Sequence, residues 1–107
     1  MTTELLTAVL GYDVYTISRV HNNNINVTGN TPKYEPNLLS INIYELMHLM
    51  KEWANQVCEC DLVTLYLTKG WICCDWYEQN TNLSSKCSTE VEAVTQACQY
   101  LLTNKDN

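Results

Sequence analysis

Residues 41–78 read INIYELMHLMKEWANQVCECDLVTLYLTKGWICCDWYE, and they contain two different periodic patterns. Over residues 43–57 apolar side chains recur every three or four positions, which predicts a helix with one apolar stripe. Residues 61–78 are instead rich in β-branched and aromatic side chains and are interrupted at Lys69 and Gly70, which predicts a β-hairpin. A helix with a single apolar stripe beside a hairpin is typical of helices that pack on one face of an antiparallel sheet.

The N-terminal part of the chain predicts a helix and a first hairpin. Residues 3–10 form a short amphipathic segment after a threonine cap, and Gly11 follows where a helix stop requires a positive φ. Residues 13–20 alternate in polarity and predict a strand. Residues 25–28 return as a second strand after an Asn-rich turn at residues 21–24.

The C-terminal part predicts the remaining elements. Residues 83–88 could add an edge strand to the second hairpin. Residues 90–103 predict a helix that Thr89 caps, with Glu92 completing a capping box. Asn42 begins the middle helix in the same way, because its side chain can accept a bond from a free N–H of the first turn.

Together these elements predict a single α+β domain of residues 1–107. It is a two-layer arrangement of three helices and an antiparallel sheet of four or five strands, in the order α-β-β-α-β-β-(β)-α. A chain of 107 residues buries enough surface for one core, and its three Gly and two Pro are too few for a disordered chain. No apolar run approaches the length of a membrane-spanning helix, and no basic stretch precedes an apolar one as in a secretory signal. The sequence therefore predicts a cytoplasmic protein without a membrane partner.

The charge is negative and unevenly distributed. The chain has 12 acidic and 6 basic residues, which give a net charge of −6. Residues 41–107 carry nine of the acidic residues against four lysines. Because phosphate contacts require clustered cations, this distribution disfavours direct binding of DNA or RNA. An acidic surface favours protein partners with basic surfaces, although it can also serve only to keep a protein in solution.

The sequence contains six cysteines: Cys58, Cys60, Cys73, Cys74, Cys87 and Cys98. Without a secretory signal, we expect reduced thiols. The paired cysteines of structural zinc sites are usually farther apart in sequence than Cys58 and Cys60 or Cys73 and Cys74 are here. Adjacent strand residues such as Cys73 and Cys74 also point to opposite faces of a sheet. We therefore favour buried structural thiols. The alternative is a metal or redox module of Cys58, Cys60 and one of the adjacent pair.

No catalytic or phosphate-binding pattern is present. The three glycines are far apart, and the sequence contains no Gly-x-Ser-x-Gly or His-Glu-x-x-His motif. His48 lies on the polar face of the middle helix between Glu45 and Glu52, where it could act as a general acid or base. A lone histidine without a nucleophile does not make an active site, so we favour a surface histidine. We expect no enzyme activity, no cofactor and no bound metal.

Aromatic residues concentrate in the second hairpin. Trp and Tyr are favoured as interface anchors because they combine a large area with a polar tip. If this face is uncovered it is a binding patch, and the alternative is that a loop or the first hairpin covers it. The predicted partner-binding surface combines acidic and aromatic side chains: Glu45, His48, Glu52, Glu59, Asp61, Tyr66, Trp71, Asp75 and Tyr77.

Two segments resemble small proteins of bacteriophages and prophages. Residues 41–46 and 51–54 (INIYEL and KEWA) resemble one of their helices, and residues 89–94, 97–98 and 100–102 (TEVEAV, AC and YLL) are similar to their C-terminal helix. The resemblance implies a mobile-element accessory protein and carries no catalytic residue. Some small acidic phage proteins are anti-CRISPR or other anti-defence inhibitors, which block host nucleases by occupying basic nucleic-acid channels. By this analogy we expect binding to a host protein such as a CRISPR-type defence complex, and a homodimer that shares the aromatic strand face is compatible with it.

Overall fold

The computed structural model describes residues 1–20, 23–30 and 37–104. Within these ranges three helices and six strands follow in the order α-β-β-β-α-β-β-β-α, which confirms the predicted α+β class. The elements are α1 (Thr3–Leu10), β1 (Asp13–Val20), β2 (Asn24–Asn30), β3 (Asn37–Asn42), α2 (Ile43–Cys58), β4 (Leu62–Leu67), β5 (Gly70–Asp75), β6 (Glu78–Asn82) and α3 (Glu90–Asn104).

The described strands form two antiparallel sheets, ordered β1-β2-β3 and β4-β5-β6. This corrects the prediction of one sheet with four or five strands, and β3 is a strand that the sequence analysis did not identify. Each sheet is built from strands that follow one another in the chain, which is the commonest way for strands to pair. The alternation of polar and apolar residues identifies a strand but does not indicate which strand it pairs with.

The contacts divide the chain into two compact units, Met1–Leu49 and Met50–Asn107, and the division lies within α2. In the first unit α1 packs against β1, and in the second unit α3 packs against β5 and β4. Each unit therefore contains a helix packed on a strand of its own sheet. The single domain of residues 1–107 stays a prediction.

The helix α1 has both predicted ends. The Thr2 side chain accepts a hydrogen bond from Leu5 N–H at 3.1 Å. Gly11 follows the helix with a φ of 80°, and its N–H donates to the Thr7 carbonyl at 3.0 Å. This is the left-handed stop that glycine adopts without steric cost.

The first sheet contains one close approach between backbones. β1 has its predicted bounds, and side chains of β2 are buried at every second residue. A Cβ at Gly29 would lie 2.1 Å from the Asp13 carbonyl oxygen, so only glycine fits beside β1 at this point. Of the predicted turn at residues 21–24, residues 21 and 22 lie outside the described residues, and Asn23 has a φ of 62°.

The helix α2 begins where the cap predicts, because Asn42 Oδ1 accepts a hydrogen bond from Tyr44 N–H at 2.9 Å. Four side chains of its apolar stripe are buried: Leu46, Met50, Trp53 and Ala54. Val57 has the helical spacing of this stripe and was expected to be buried with it, but it is exposed. The last turn of the helix is not covered, and Val57 instead lines a groove on the surface.

The turn of the second hairpin lies one residue before its predicted position. Leu67 pairs with Gly70, so Thr68 and Lys69 are the two turn residues, with φ of 49° and 64°. Two positive φ angles match the right-handed twist of a hairpin, although glycine or asparagine usually supplies them. Gly70 has a different role, because a Cβ there would lie 2.1 Å from Cγ of Lys86.

Residues 83–88 do not form the predicted edge strand, and the third strand of this sheet is β6. The strand β6 precedes these residues, and Cys87 forms only a bridge to Trp71, with both N–H···O bonds at 2.8 Å. Ser84 explains the interruption, because its Oγ accepts the hydrogen bond from Cys73 N–H at 2.9 Å that a backbone carbonyl would accept in a regular ladder.

The helix α3 is capped by Thr89, whose Oγ1 accepts a hydrogen bond from Glu92 N–H at 3.1 Å. The Glu92 carboxylate accepts from Ser88 Oγ at 3.0 Å. The buried apolar stripe of α3 includes Ala93, Val94, Ala97 and Cys98. None of the described helices is long and apolar enough to cross a bilayer.

Candidate functional site

A groove in the second unit is lined by the end of α2, the end of α3 and the region around β6. It has two adjoining depressions of about 420 and 260 Å³. Both depressions are lined by Cys58, Glu59, Tyr100 and Leu101. The first also includes Val57 and Asn104, and the second also includes Cys60, Asp75, Glu78, Thr81 and Leu83. These residues are termed the acidic groove, because the described lining includes three carboxylates and no Lys or Arg.

The end of α2 places Glu59 and Cys60 in the acidic groove. Glu59 has a φ of 54°, and the following N–H, that of Cys60, donates to the Ala54 carbonyl at 3.1 Å. A left-handed residue is the usual way to end a helix, but glycine is more common there than glutamate. The chain then turns towards β4, and the Asp61 carbonyl accepts a hydrogen bond from Trp76 N–H at 2.8 Å.

A turn between β5 and β6 displays two aromatic side chains beside the acidic groove. Asp75 pairs with Glu78, and Trp76 and Tyr77 between them are 56% and 77% exposed. Asp75 Oδ1 accepts from Tyr77 N–H at 3.3 Å, and Gln79 Nε2 donates to the Trp76 carbonyl at 3.1 Å. An aspartate that bonds to the N–H two residues later is a recurrent way to build a turn. Trp76 and Tyr77 are termed the aromatic turn.

The carboxylates of this region act on the Cys60 thiol. Burial, the largest cause, and the negative charges of Asp75, Asp61 and Glu78 raise the pKa of Cys60 to about 12. The thiol is therefore protonated at neutral pH and is a poor nucleophile.

The basic side chains of the second hairpin lie at its other end. Lys69 is in the turn between β4 and β5, and Lys86 Nζ donates to the Thr68 carbonyl at 3.5 Å. Asp75 is the last residue of β5, about 17 Å along the strand from this turn at the usual rise per residue. The second hairpin therefore has carboxylates at one end and ammonium groups at the other.

Most of the cysteines are buried, as the sequence analysis favoured; the exception is the half-buried Cys58. Burial is also the largest cause that raises the pKa of Cys73 and of Cys98 to about 12. Cys98 Sγ donates to the Met50 carbonyl at 3.6 Å. Among the described residues, no three His, Cys, Asp or Glu side chains are grouped so that they could hold a metal ion. The metal or redox alternative stays a prediction.

The structure brings four of the predicted partner-binding residues together. Glu59 and Asp75 line the acidic groove, and Tyr77 is in the aromatic turn. Asp61 lies directly beside them, where its Oδ1 accepts a short hydrogen bond from Asn55 Nδ2 and its carbonyl holds the aromatic turn. These residues form one continuous acidic and aromatic area on the second unit.

The other predicted residues lie elsewhere. Tyr66 and Trp71 face each other across β4 and β5, with ring centroids 5.2 Å apart, near the basic end of the hairpin. On α2, Glu45, His48 and Glu52 are exposed; the first two belong to the first unit and Glu52 to the second. The predicted surface is therefore not one patch within the second unit.

Three acidic or aromatic residues of the site were missed as partner-binding residues: Trp76, Glu78 and Tyr100. The alternation of residues 71–78 indicates an uninterrupted strand, whereas the structure turns at Trp76 without any Gly, Asn or Pro. The available signal was Asp75, a charged residue within an apolar segment, because aspartate favours the first position of a turn.

The fold and the site define an α+β protein with an acidic groove and an adjacent pair of exposed aromatic side chains. Comparisons of the chain with protein families, with curated proteins and with solved structures give no match.

Proposed function

We propose that this protein acts by binding another protein, and that the acidic groove and the aromatic turn make the contact. The observation that carries the proposal is the meeting of four carboxylates with two exposed aromatic side chains in one area of the second unit. Exposed Trp and Tyr serve as anchors in protein interfaces, and the surrounding carboxylates select a partner with a basic surface.

The proposed role is non-catalytic. It is supported by the state of Cys60, which is protonated at neutral pH because its pKa is raised to about 12. Binding then blocks a surface of the partner or displaces another ligand from it, and the partner is not chemically modified. The lining of the groove by Glu59, Asp75 and Glu78 also disfavours nucleic acid as the direct ligand, because phosphates and carboxylates repel each other.

The partner class that we propose is a host protein inside the bacterial cell, such as a CRISPR-type defence complex, which the protein inhibits or modulates. The net charge of −6 is the observation that supports this class, and the resemblance to phage accessory proteins expected from two segments of the sequence suggested it. A nucleic-acid channel is basic, and an acidic groove with aromatic anchors is complementary to such a surface. A homodimer is compatible with this role.

The test compares two variants of equal charge. The groove variant carries Glu59→Gln, Asp75→Asn and Glu78→Gln, and asparagine keeps the oxygen that accepts from the Tyr77 N–H. The control variant neutralises three exposed acidic residues outside the groove: Glu4→Gln, Asp13→Asn and Glu45→Gln. Each protein is immobilised, exposed to host lysate at low and high salt, and assayed for the bound protein.

We expect the wild type and the control variant to capture the same partner at low salt and to release it at high salt, because exposed charges are screened. The groove variant should capture much less of it. Equal capture by all three proteins, or capture that salt does not affect, would contradict the proposed role of the groove.

A further inference from the structure

The strand β4 is an unprotected sheet edge. Of the described strands, only β5 is hydrogen-bonded to it. Its sequence, LVTLYL, contains no charged residue and no proline, and its register with β5 has no bulge. Proteins usually protect an exposed edge with one of these devices, because unpaired N–H and C=O groups are a template for another strand.

The pairing of β5 shows which groups of β4 point away from the sheet. Trp71 and Cys73 use their backbone groups on the side of β5 that is remote from β4. Because successive residues of a strand alternate, Ile72 faces β4 and bonds to Leu65, its partner in the register. The residues of β4 that direct their N–H and C=O to the outer edge are therefore Leu62, Thr64 and Tyr66.

These three residues are arranged symmetrically about Thr64. A second copy of β4, antiparallel to the first and with the two Thr64 residues opposite each other, places each Leu62 opposite a Tyr66. Every outward N–H and C=O of the three residues then has a partner. We propose that the protein forms a homodimer in which β4 pairs with β4 of a second copy in this register.

The charge of the edge favours a second copy over the partner of the acidic groove. β4 has no carboxylate that would attract a basic surface, and two identical edges meet without like charges along the strand. In the proposed register Leu65, which is 38% exposed, lies opposite Val63 of the second copy on the same face of the sheet. The pairing therefore also covers apolar area that is open to water in one copy.

Charged side chains of both signs meet in the proposed dimer. Thr64 Oγ1 donates a short hydrogen bond to the Glu90 carboxylate. Opposite residues of a hydrogen-bonded antiparallel pair have Cα atoms about 5.5 Å apart, so two Glu90 carboxylates approach each other across the symmetry axis. In the same register the turn that carries Lys69 lies beside the acidic end of the second copy, so salt screens an attraction as well as this repulsion.

The first experiment measures amide hydrogen exchange in the wild-type protein at low and high protein concentration. The N–H groups of Val63, Leu65 and Leu67 bond to β5, so their protection should not depend on association. Those of Thr64 and Tyr66 should be protected only at high concentration. Exchange at these two positions that stays unprotected at every concentration would overturn the proposal.

The second experiment follows sedimentation of the wild type and two variants over the same concentrations. Leu65→Asp places a charge at the proposed interface. Leu39→Asp is the matched control, because Leu39 is also a strand residue and is 37% exposed. We expect a dimer for the wild type and for Leu39→Asp, and a monomer for Leu65→Asp. Far-ultraviolet circular dichroism verifies that each variant is folded.

A wild type that remains monomeric at every protein and salt concentration would overturn the proposal. The same holds if β4 pairs only with a strand of another protein. A Leu65→Asp variant that still dimerises, or equal loss of the dimer in both variants, would overturn the assignment to β4. The outcome is independent of the acidic groove, because neither variant changes a residue that lines it.

Discussion

Substitutions of Glu59 test two roles of this residue separately, its effect on stability at the end of α2 and its part in binding at the acidic groove. Glu59 ends the helix with a φ of 54° and also lines the groove. The left-handed conformation costs an ordinary residue about 1–2 kcal/mol, and glycine avoids this cost. Glycine also makes the unfolded chain more flexible, which offsets about 0.4–1 kcal/mol. The net gain expected for Glu59→Gly is about 0.5–1 kcal/mol from the backbone alone.

Glu59→Gln is the control for the charge, because glutamine has a similar backbone preference and no carboxylate. Removal of a negative charge near the C-terminal end of a helix itself stabilises by a few tenths of a kcal/mol, up to about 1 kcal/mol. In thermal unfolding followed by circular dichroism, we expect the glycine variant to melt about 2–8 °C above the glutamine variant. Both variants should capture less partner than the wild type.

Two results would refute this reasoning separately. A glycine variant that melts at or below the temperature of the glutamine variant would show that the left-handed Glu59 is not strained. Undiminished partner capture by both variants would show that the Glu59 carboxylate has no part in binding, whatever the stabilities.

Two other predictions concern the core of each unit. Gly29→Ala should lower the free energy of unfolding by about 2–4 kcal/mol in urea titrations, because its Cβ would meet the Asp13 carbonyl oxygen at 2.1 Å. Gly11→Ala should cost only about 1 kcal/mol, since it strains a φ of 80° but meets no atom within 4 Å; equal losses would contradict the steric explanation. Three thiols have a pKa raised from 9.0 to about 12: Cys60, Cys73 and Cys98. At pH values between 9.0 and about 12 these thiols ionise only in the unfolded chain. The free energy of unfolding should therefore fall as the pH rises through this range, by at most about 1.4 kcal/mol per pH unit for each thiol. Urea titrations at several pH values should show a shallower decline for Cys98→Ala, and an unchanged slope would contradict the assignment.

The helix ends could be predicted because each depends on one side chain and the backbone within three residues of it. Thr2, Asn42 and Thr89 all accept the N–H bonds that their positions predict. The strand β1 was predicted with its observed bounds for a similar reason, since its β-branched and aromatic residues are a local signal, although its register with β2 shifts between Val14 and Thr16.

The division into two sheets could not be predicted, because strand pairing depends on contacts between distant residues. The β4–β5 turn shows the same limit at short range. Thr68 and Lys69 adopt positive φ angles that their side chains disfavour, and Gly70, the residue expected in the turn, instead lies against the side chain of Lys86.

The candidate site was predicted in composition but not in position. The acidic and aromatic character of the second unit is a property of the sequence, and Glu59, Asp61, Asp75 and Tyr77 do meet. Their meeting depends on two tertiary features, the turn after Asp75 and the left-handed end of α2. Neither has a glycine that would mark it in the sequence.

The two proposed surfaces are compatible because no residue of β4 lines the acidic groove. β4 forms one edge, and β6, at the other edge, contributes Glu78 and Thr81 to the acidic groove. A dimer paired through β4 therefore has two acidic grooves. A partner with two basic sites at a suitable distance would then bind both, and the second contact would form at a high effective concentration. Salt screens the attraction between each groove and its partner, so binding through one groove or through two should be strongest at low salt.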